Sequence, residues 1–346
     1  MSHVRREAGL GPGRDEPLAV AVVGLGWWGR AIVCALEGNP KLRVVATAAA
    51  GYSGAEFART HGVSFTTNLD AVLNAADIQA VILCTPHSLH GEQIARAARA
   101  RKHVFCEKPL ALTRDEALAS LAVCDANNVV LGVGHEHRFK PAVVALKDAV
   151  SAGELGTIMR SEATFTSDSL ANLTPGHWRR SADEAPCGPL TATAIHGLDL
   201  CVSMQGAPVS VLANLRDVVA DGAADALGIF MEFKDGSDAV VSALNGPPFS
   251  CRFAVFGTDG WVEIRDKAHP QAPKGWIVTT CRRGGAMETV EWPPALPVVA
   301  GLEAFADAAA GRTPYPVPRQ EMIATVSAME AVVQSVAGGQ SVQVKD

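Results

Sequence analysis

Short apolar runs alternate with stretches of helical period through the first third of the chain. The runs fall at 18–23, 42–48, 80–84, 103–106 and 129–133, and the helical stretches between them include 92–101 and 114–127. A strand covered on both faces reads as an unbroken apolar run, and crossover helices must separate parallel neighbours. The alternation therefore predicts a doubly wound α/β unit, a parallel sheet with helices on both faces.

Past residue 150 the texture changes. Strand-like runs follow one another closely at 157–165, 209–216, 226–233, 239–244, 251–256 and 261–264. Turn signals such as Lys234-Asp235-Gly236 and Thr258-Asp259-Gly260 separate them. This predicts an α+β domain with a large, mainly antiparallel sheet. Helical period returns at 301–310 and 319–336, with Pro314, Pro316 and Pro318 between. The expected organisation is a disordered leader (1–17), a first domain (18–135) and a second domain (136–346) whose last helices pack back on the first.

Composition narrows the classes. A length of 346 residues suits two domains, and 48% hydrophobic residues give ample core material. Thirty Lys and Arg face 36 Asp and Glu. No basic stripe is present, so no nucleic-acid partner is expected. The polar leader lacks the roughly 7–15-residue apolar core of a signal peptide. No run reaches the roughly 18 apolar residues of a membrane span. Eight cysteines are scattered without a C-x-x-C pair or a His/Cys cluster. Reduced thiols in a cytoplasmic protein with no metal site are expected.

The first apolar run leads into Gly24-Leu25-Gly26-Trp27-Trp28-Gly29 and then an apolar helical pattern through Leu36. The first glycine permits a tight turn, the second lets backbone approach a diphosphate, and the third lets helix pack on strand. The position identifies a Rossmann-type dinucleotide site, with Gly24, Gly26, Trp27, Trp28 and Gly29 against the cofactor and a helix N-terminus facing the phosphates. The acid that would bind a ribose 2′-hydroxyl is due near Ala49, where the sequence reads Thr47-Ala48-Ala49-Ala50-Gly51-Tyr52-Ser53. Without an acid to repel a 2′-phosphate, NADP is favoured slightly over NAD. Ser53 can bond either ribose, and Arg59 is a candidate for a phosphate.

Two further motifs follow. Thr85-Pro86 comes after the run at 80–84, with His87 and His90 behind it, and Glu107-Lys108-Pro109 comes after the run at 103–106. With the glycine loop, Gly132-Val133-Gly134-His135, Arg138-Phe139-x-Pro141 and the tail 319–337, this order resembles the Gfo/Idh/MocA family of oxidoreductases over essentially all the chain after Leu18. The resemblance implies hydride transfer between NAD(P) and a secondary alcohol or ketone of a sugar, cyclitol or sugar-derived acid. It implies that Lys108 lies beside the nicotinamide and assists proton transfer. A partly desolvated amine near a cationic ring has the lowered pKa that task needs. Glu107 is read as orienting the cofactor or its neighbours. Thr85, Pro86, His87 and His90 are read as a loop that contacts cofactor or caps a helix.

The segment from Cys187 to Asp199 matches the family's glycine-rich turn and D-x-x-x-H helix, except that Ala192 stands where the family has Asp. His196 remains as proton donor, substrate-orienting group or packed helix histidine. Thr191 and Thr193 are candidate hydroxyl donors in place of the lost acid. Trp178-Arg179 resembles the family's stretch at the substrate mouth, where a guanidinium fork suits a carboxylate or polyol. The substrate set is therefore Trp178, Arg179, Thr193 and His196. Asp168 and Asn172 are weaker candidates, and His135 and His137 either line the cleft or pack at the junction.

Two rival readings remain at this point. One is a cofactor-sensing regulator that has lost catalysis, which Ala192 favours; the other is a dehydrogenase of cyclic diols from aromatic degradation. Both faces of the strands at 226–233 and 239–244 are fairly apolar, so a homodimer or homotetramer through the second sheet is expected.

Overall fold

In a computed structural model, the structure describes residues 16–168, 176–219, 225–270 and 272–345. Most of the expected leader, and Asn172, lie outside the described residues.

The first sheet contains β1 (Leu18–Val23), β2 (Leu42–Ala48), β3 (Ser64–Thr66), β4 (Ala80–Leu83), β5 (His103–Cys106) and β6 (Leu131–Val133). All its pairings are parallel, in the order β3-β2-β1-β4-β5-β6. That is the doubly wound arrangement predicted above. β1, β4 and β5 are buried at every position. Their alternate side chains feed two separate cores. Leu18, Val20 and Val22 pack with helix α1 (Trp27–Ala35) and with Phe305 from near the C-terminus. Ala21 and Val23 face Ile94, Leu121 and Val326 on the other side. The chain order reverses between β1 and β4, so the crevice for a ligand opens at the carboxyl ends of these two strands.

The second sheet has nine strands in the order β14-β13-β12-β11-β7-β10-β9-β8-β15. In chain order they are β7 (Ile158–Ser167), β8 (Pro208–Arg216), β9 (Ala226–Phe233), β10 (Asp238–Asn245), β11 (Ser250–Gly257), β12 (Gly260–Asp266), β13 (Trp276–Arg282), β14 (Met287–Trp292) and β15 (Val342–Gln343). The pairing of β7 with β10 is parallel and its other pairings are antiparallel. The pattern analysis passed over β3, β13, β14 and β15. β3 and β15 are too short to carry a period. β14 is an edge strand whose side chains are exposed at five of six positions, so it has no apolar face to announce it. On β9, Leu227, Ile229, Met231 and Phe233 enter the core while Gly228 and Glu232 stay exposed.

Helix α7 (Ile195–Gln205) lies across the inner face of the second sheet, and the last long helix, Arg319–Gly338, packs beside it. The helix before it, Pro297–Ala309, packs on the first sheet instead, where Lys41 Nζ donates to Asp307 at 2.9 Å. Arg138, just beyond β6, joins these parts. Its guanidinium donates from Nε and Nη2 to the Asp199 carboxylate on α7, both at 2.7 Å, and from Nη1 to Glu321 on the last helix. Thr325 also donates to Asp199. Burial raises the Asp199 carboxyl, but Arg138, with His135 and Thr325, more than offsets this and holds it below the ordinary range.

Removing one partner of a buried ion pair leaves an uncompensated charge. Arg138→Ala should therefore cost about 3–5 kcal/mol in chemical denaturation. Because the Asp199 pKa is depressed on folding, its contribution is present above the unfolded carboxyl pKa and fades as pH falls through the folded one. The variant's deficit should accordingly shrink in acid, and an unchanged denaturation midpoint at neutral pH would remove the pair from the junction's stability.

Candidate active site

The glycine loop leaves β1 at the crevice. Gly24 has φ +96°, and a Cβ there would lie 2.6 Å from the Cys84 carbonyl oxygen at the end of β4. At Gly29 a Cβ would fall 1.9 Å from the Gly24 carbonyl oxygen, so only glycine lets α1 start this close to the strand. Gly26 is different: a Cβ there would meet nothing within 4 Å. It is the N-cap of α1, with no side-chain cap and no acid in the first turn. The helix thus presents uncapped N–H groups to open space, which suits a diphosphate.

Ser53 is exposed, in a short turn (Tyr52–Gly54) beyond β2. Arg30, which the sequence reading missed, spans the gap. Its Nη2 donates to the Ser53 carbonyl at 2.9 Å and its Nε to the Leu25 carbonyl at 3.1 Å. Its only sequence signal is a lone basic residue directly after the glycine motif. Arg59 is exposed beside Glu56, 3.8 Å away.

The loop after β4 is tied down by its own histidines. His90 is fully buried, with Nδ1 2.8 Å from the Pro109 carbonyl oxygen and Nε2 3.2 Å from that of Thr85. It fastens this loop to the one after β5. Thr85 donates its hydroxyl to Gln93 at 2.6 Å, and Pro86 caps the turn His87–Leu89. His87 Nδ1 lies 2.6 Å from the Glu184 carbonyl oxygen, and the Trp178 ring meets it edge-on at 4.9 Å. Burial, with His90 beside it, takes the His87 imidazolium down to about 3.

Lys108 projects from the loop after β5 toward residues 190–194, a π-helical turn ahead of α7. There the amides of both Thr193 and Ala194 bond the Pro189 carbonyl. Such a widened turn turns carbonyls out of the helical ladder. Lys108 Nζ donates to two of them, Thr191 at 3.1 Å and Ala192 at 3.0 Å. Position 192 thus contributes its backbone oxygen. Burial lowers the Lys108 ammonium to about 8, with Glu136 pulling upward and Arg179 adding to the fall. Glu107 is buried, and burial with Glu136 nearby pushes its carboxyl up to about 7, while the Trp28 indole draws it back. A Cβ at Gly134 would lie 2.7 Å from the Glu107 carboxylate, which explains the glycine after β6.

His196 begins α7. That helix lies so near the sheet that a Cβ at Gly197 would sit 2.7 Å from the Ala163 Cβ. The His196 ring stacks on His137 with centroids 4.2 Å apart and planes at 16°, and Phe165 meets it edge-on at 5.7 Å. Its Nε2 lies 3.8 Å from Glu136 Oε1. Burial and the adjacent Lys108 hold its pKa well below the usual value, so the imidazole is neutral. His137 is therefore a cleft neighbour, whereas His135 turns to Asp199, 3.5 Å away. Thr193 spends its hydroxyl on the Pro189 carbonyl at 2.9 Å. The Arg179 guanidinium lies 4.3 Å over the Trp178 ring.

These groups surround a cavity of about 310 Å³. Its wall joins Trp27 and Trp28 from α1, Thr85 and His87, Glu107 and Lys108, Trp178 and Arg179, and Thr193 and His196. Gly24, Gly26, Gly29, Ser53, Pro86 and His90 are not among its lining residues. Glu136, Phe165, Ser167 and His269 also line it and were missed. Glu136 was visible only as an acid just past a strand end.

The sequence spacing also suggested no group of metal ligands, yet among the described residues the fold brings together two: Cys34, Glu37 and His61 at the surface, and Glu136, His137 and His196 at the cavity. In the second, the two imidazoles stack on each other at 4.2 Å, and Lys108 and Lys140 already bring positive charge. That arrangement suits hydrogen bonding better than chelation.

Comparison with known proteins gives a consistent picture. Residues 18–135 match the profile of an oxidoreductase family with an NAD-binding Rossmann fold, and 143–263 match the GFO/IDH/MocA C-terminal domain. The chain is 32% identical to inositol 2-dehydrogenase of Rhizobium meliloti (strain 1021), over 70% of this chain and 71% of that one. It is 31% identical to levoglucosan dehydrogenase of Pseudarthrobacter phenanthrenivorans, over 73% and 69%. A solved levoglucosan dehydrogenase in complex with NADH and L-sorbose superimposes with a TM-score of 0.84 at 24% identity, covering 95% and 99% of the two chains.

Proposed function

The chain belongs to the GFO/IDH/MocA family of oxidoreductases, and from that premise we propose that it moves a hydride between NAD(P) and a secondary alcohol or ketone of a sugar, cyclitol or sugar-derived acid, with Lys108 as acid and base. The observation that carries the proposal is the Lys108 amine, held by two backbone carbonyls in a cavity reached from the glycine loop.

A neutral amine has two hydrogens and one lone pair. The Thr191 and Ala192 carbonyls take both hydrogens and leave the lone pair as the site's proton acceptor. With its pKa near 8, Lys108 exchanges a proton readily near neutral pH. The uncapped start of α1 would hold the cofactor diphosphate, and Trp27, Trp28, Thr85 and His87 would flank its nicotinamide half. The bound nicotinamide supplies the hydride acceptor or donor. Around it, the Arg179 fork binds hydroxyls or a carboxylate, and neutral His196 orients the reacting oxygen. A cavity of about 310 Å³ suits a monosaccharide-sized polyol. These retained acid–base groups favour an enzyme over a cofactor sensor. Residues 47–53 offer no acid to repel a 2′-phosphate, and Arg30 stands at Ser53 with a full positive charge. Both support NADP over NAD.

The outer face of the second sheet leaves Leu212 and Val240 exposed among the ion pairs Arg160–Asp238 and Arg252–Glu162. We take this face as the contact of a homodimer or homotetramer.

Lys108→Ala should cut kcat by about 10²-fold or more, the scale of general acid–base work. Oxidation by the native enzyme should rise with pH through about 8, because only the neutral amine accepts a proton. Near-native turnover in the variant would take Lys108 out of the chemistry. A sugar and cyclitol panel followed by nicotinamide absorbance should give the higher kcat/KM with NADP, and a strong NAD preference would reverse that assignment. Light scattering should show a dimer or tetramer at micromolar concentration, and a stable monomer would contradict the sheet contact.

A further inference from the structure

Glu136 lines the reaction cavity but has no part in the mechanism above. It lies just past β6 and is only 8% exposed. Its Oε1 lies 3.8 Å from His196 Nε2 and 4.0 Å from His137 Nε2. Its other oxygen, Oε2, accepts no hydrogen bond although it is buried. A buried carboxylate oxygen left without a partner is costly unless another group compensates it.

The charged and titratable groups facing it identify that group. Lys140, on its own segment, is already bound by Asp266, with Nζ donating to Oδ1 at 2.9 Å and Oδ2 at 2.8 Å. His137 from the same segment and His196 from α7 are held neutral by burial. Glu107, from the loop after β5, and Asp199, from α7, are acids and repel it. Lys108 remains: it lines the same cavity, and its charge opposes the burial that raises the Glu136 carboxyl.

We propose that Glu136 is a positioning residue for proton transfer: its carboxylate is the counter-charge that Lys108 meets on taking the substrate's hydroxyl proton. In the oxidation direction the substrate C–H bond breaks with its electron pair going to the nicotinamide. The O–H bond breaks with its proton going to the Lys108 lone pair, and the freed oxygen electrons form the carbonyl. Lys108 thereby becomes an ammonium in the same cavity as a carboxylate, where an isolated buried cation would oppose the step. The His196 contact, long in the free protein, is of the kind that tightens when substrate fills the site. This inference rests on the proposed reaction only in naming the source of the proton.

The test measures the Lys108 amine directly. Acetylation of Lys108 by acetic anhydride, followed by peptide mass spectrometry across pH, gives its titration midpoint in the protein without cofactor. Removing a neighbouring opposite charge moves a pKa by roughly one unit or more. Glu136→Gln and Glu136→Ala should therefore lower the midpoint by about one pH unit, while Glu136→Asp, which keeps the charge, should stay near the native value. The acid limb of kcat/KM for oxidation should move with it. Circular dichroism establishes which variants fold, and either neutral variant suffices. A native midpoint in a folded neutral variant overturns the proposal. A lowered midpoint in a native protein that oxidises nothing on the panel would instead sink the proposed reaction and leave the Glu136–Lys108 pairing standing.

Discussion

An amine taken out of water must either lose its proton or find a fixed acceptor for it. In this chain Lys108 has both options within reach. Backbone carbonyls of the π-helical turn 190–194 hold its hydrogens, and acidic side chains offset its charge when it is protonated. Neither arrangement exists without the other domain. Lys108 hangs from the first sheet, its two acceptors precede a helix of the second, and Glu136 sits at the crossing between them. Everything else in the site serves to hold these elements at one separation.

That separation is fixed by packing and charge. The pair Arg138–Asp199 anchors the crossing to α7, and close contact at Gly197 presses α7 onto its sheet. On the cofactor side, Gly24 and Gly29 bring α1 against β1 and β4, and His90 joins the loops that follow β4 and β5. The crevice of a doubly wound sheet is thus walled by side chains from the second sheet and its loops, including Phe165, Ser167 and His269.

Much of this was legible in the chain. Buried strands such as β1, β2, β5 and β9 have bounds that follow from their apolar runs, because burial on a face leaves a pattern. The glycine loop was readable because it obeys a local steric rule, and the lysine after β5 because the order of motifs around it resembles a known family. Glu136, Arg30 and the two acceptor carbonyls were not. Glu136 meets His196 across 60 residues, Arg30 bonds a backbone oxygen, and carbonyls carry no residue identity at all. Thr193 shows the opposite failure: a hydroxyl suited to substrate is used by its own helix. The missing acid at Ala192 looked like a lost function, whereas the backbone at that position binds the lysine.

The account's central claim is that a pyridine nucleotide seats in the crevice with its reactive ring at Lys108. Trp27 and Trp28 line that cavity, so their emission reports on it. Titration of the native protein with NADPH or NADH should quench tryptophan fluorescence to saturation at one site per chain, with energy transfer to the reduced ring. A flat titration with both nucleotides, in protein shown to be folded, would contradict the account.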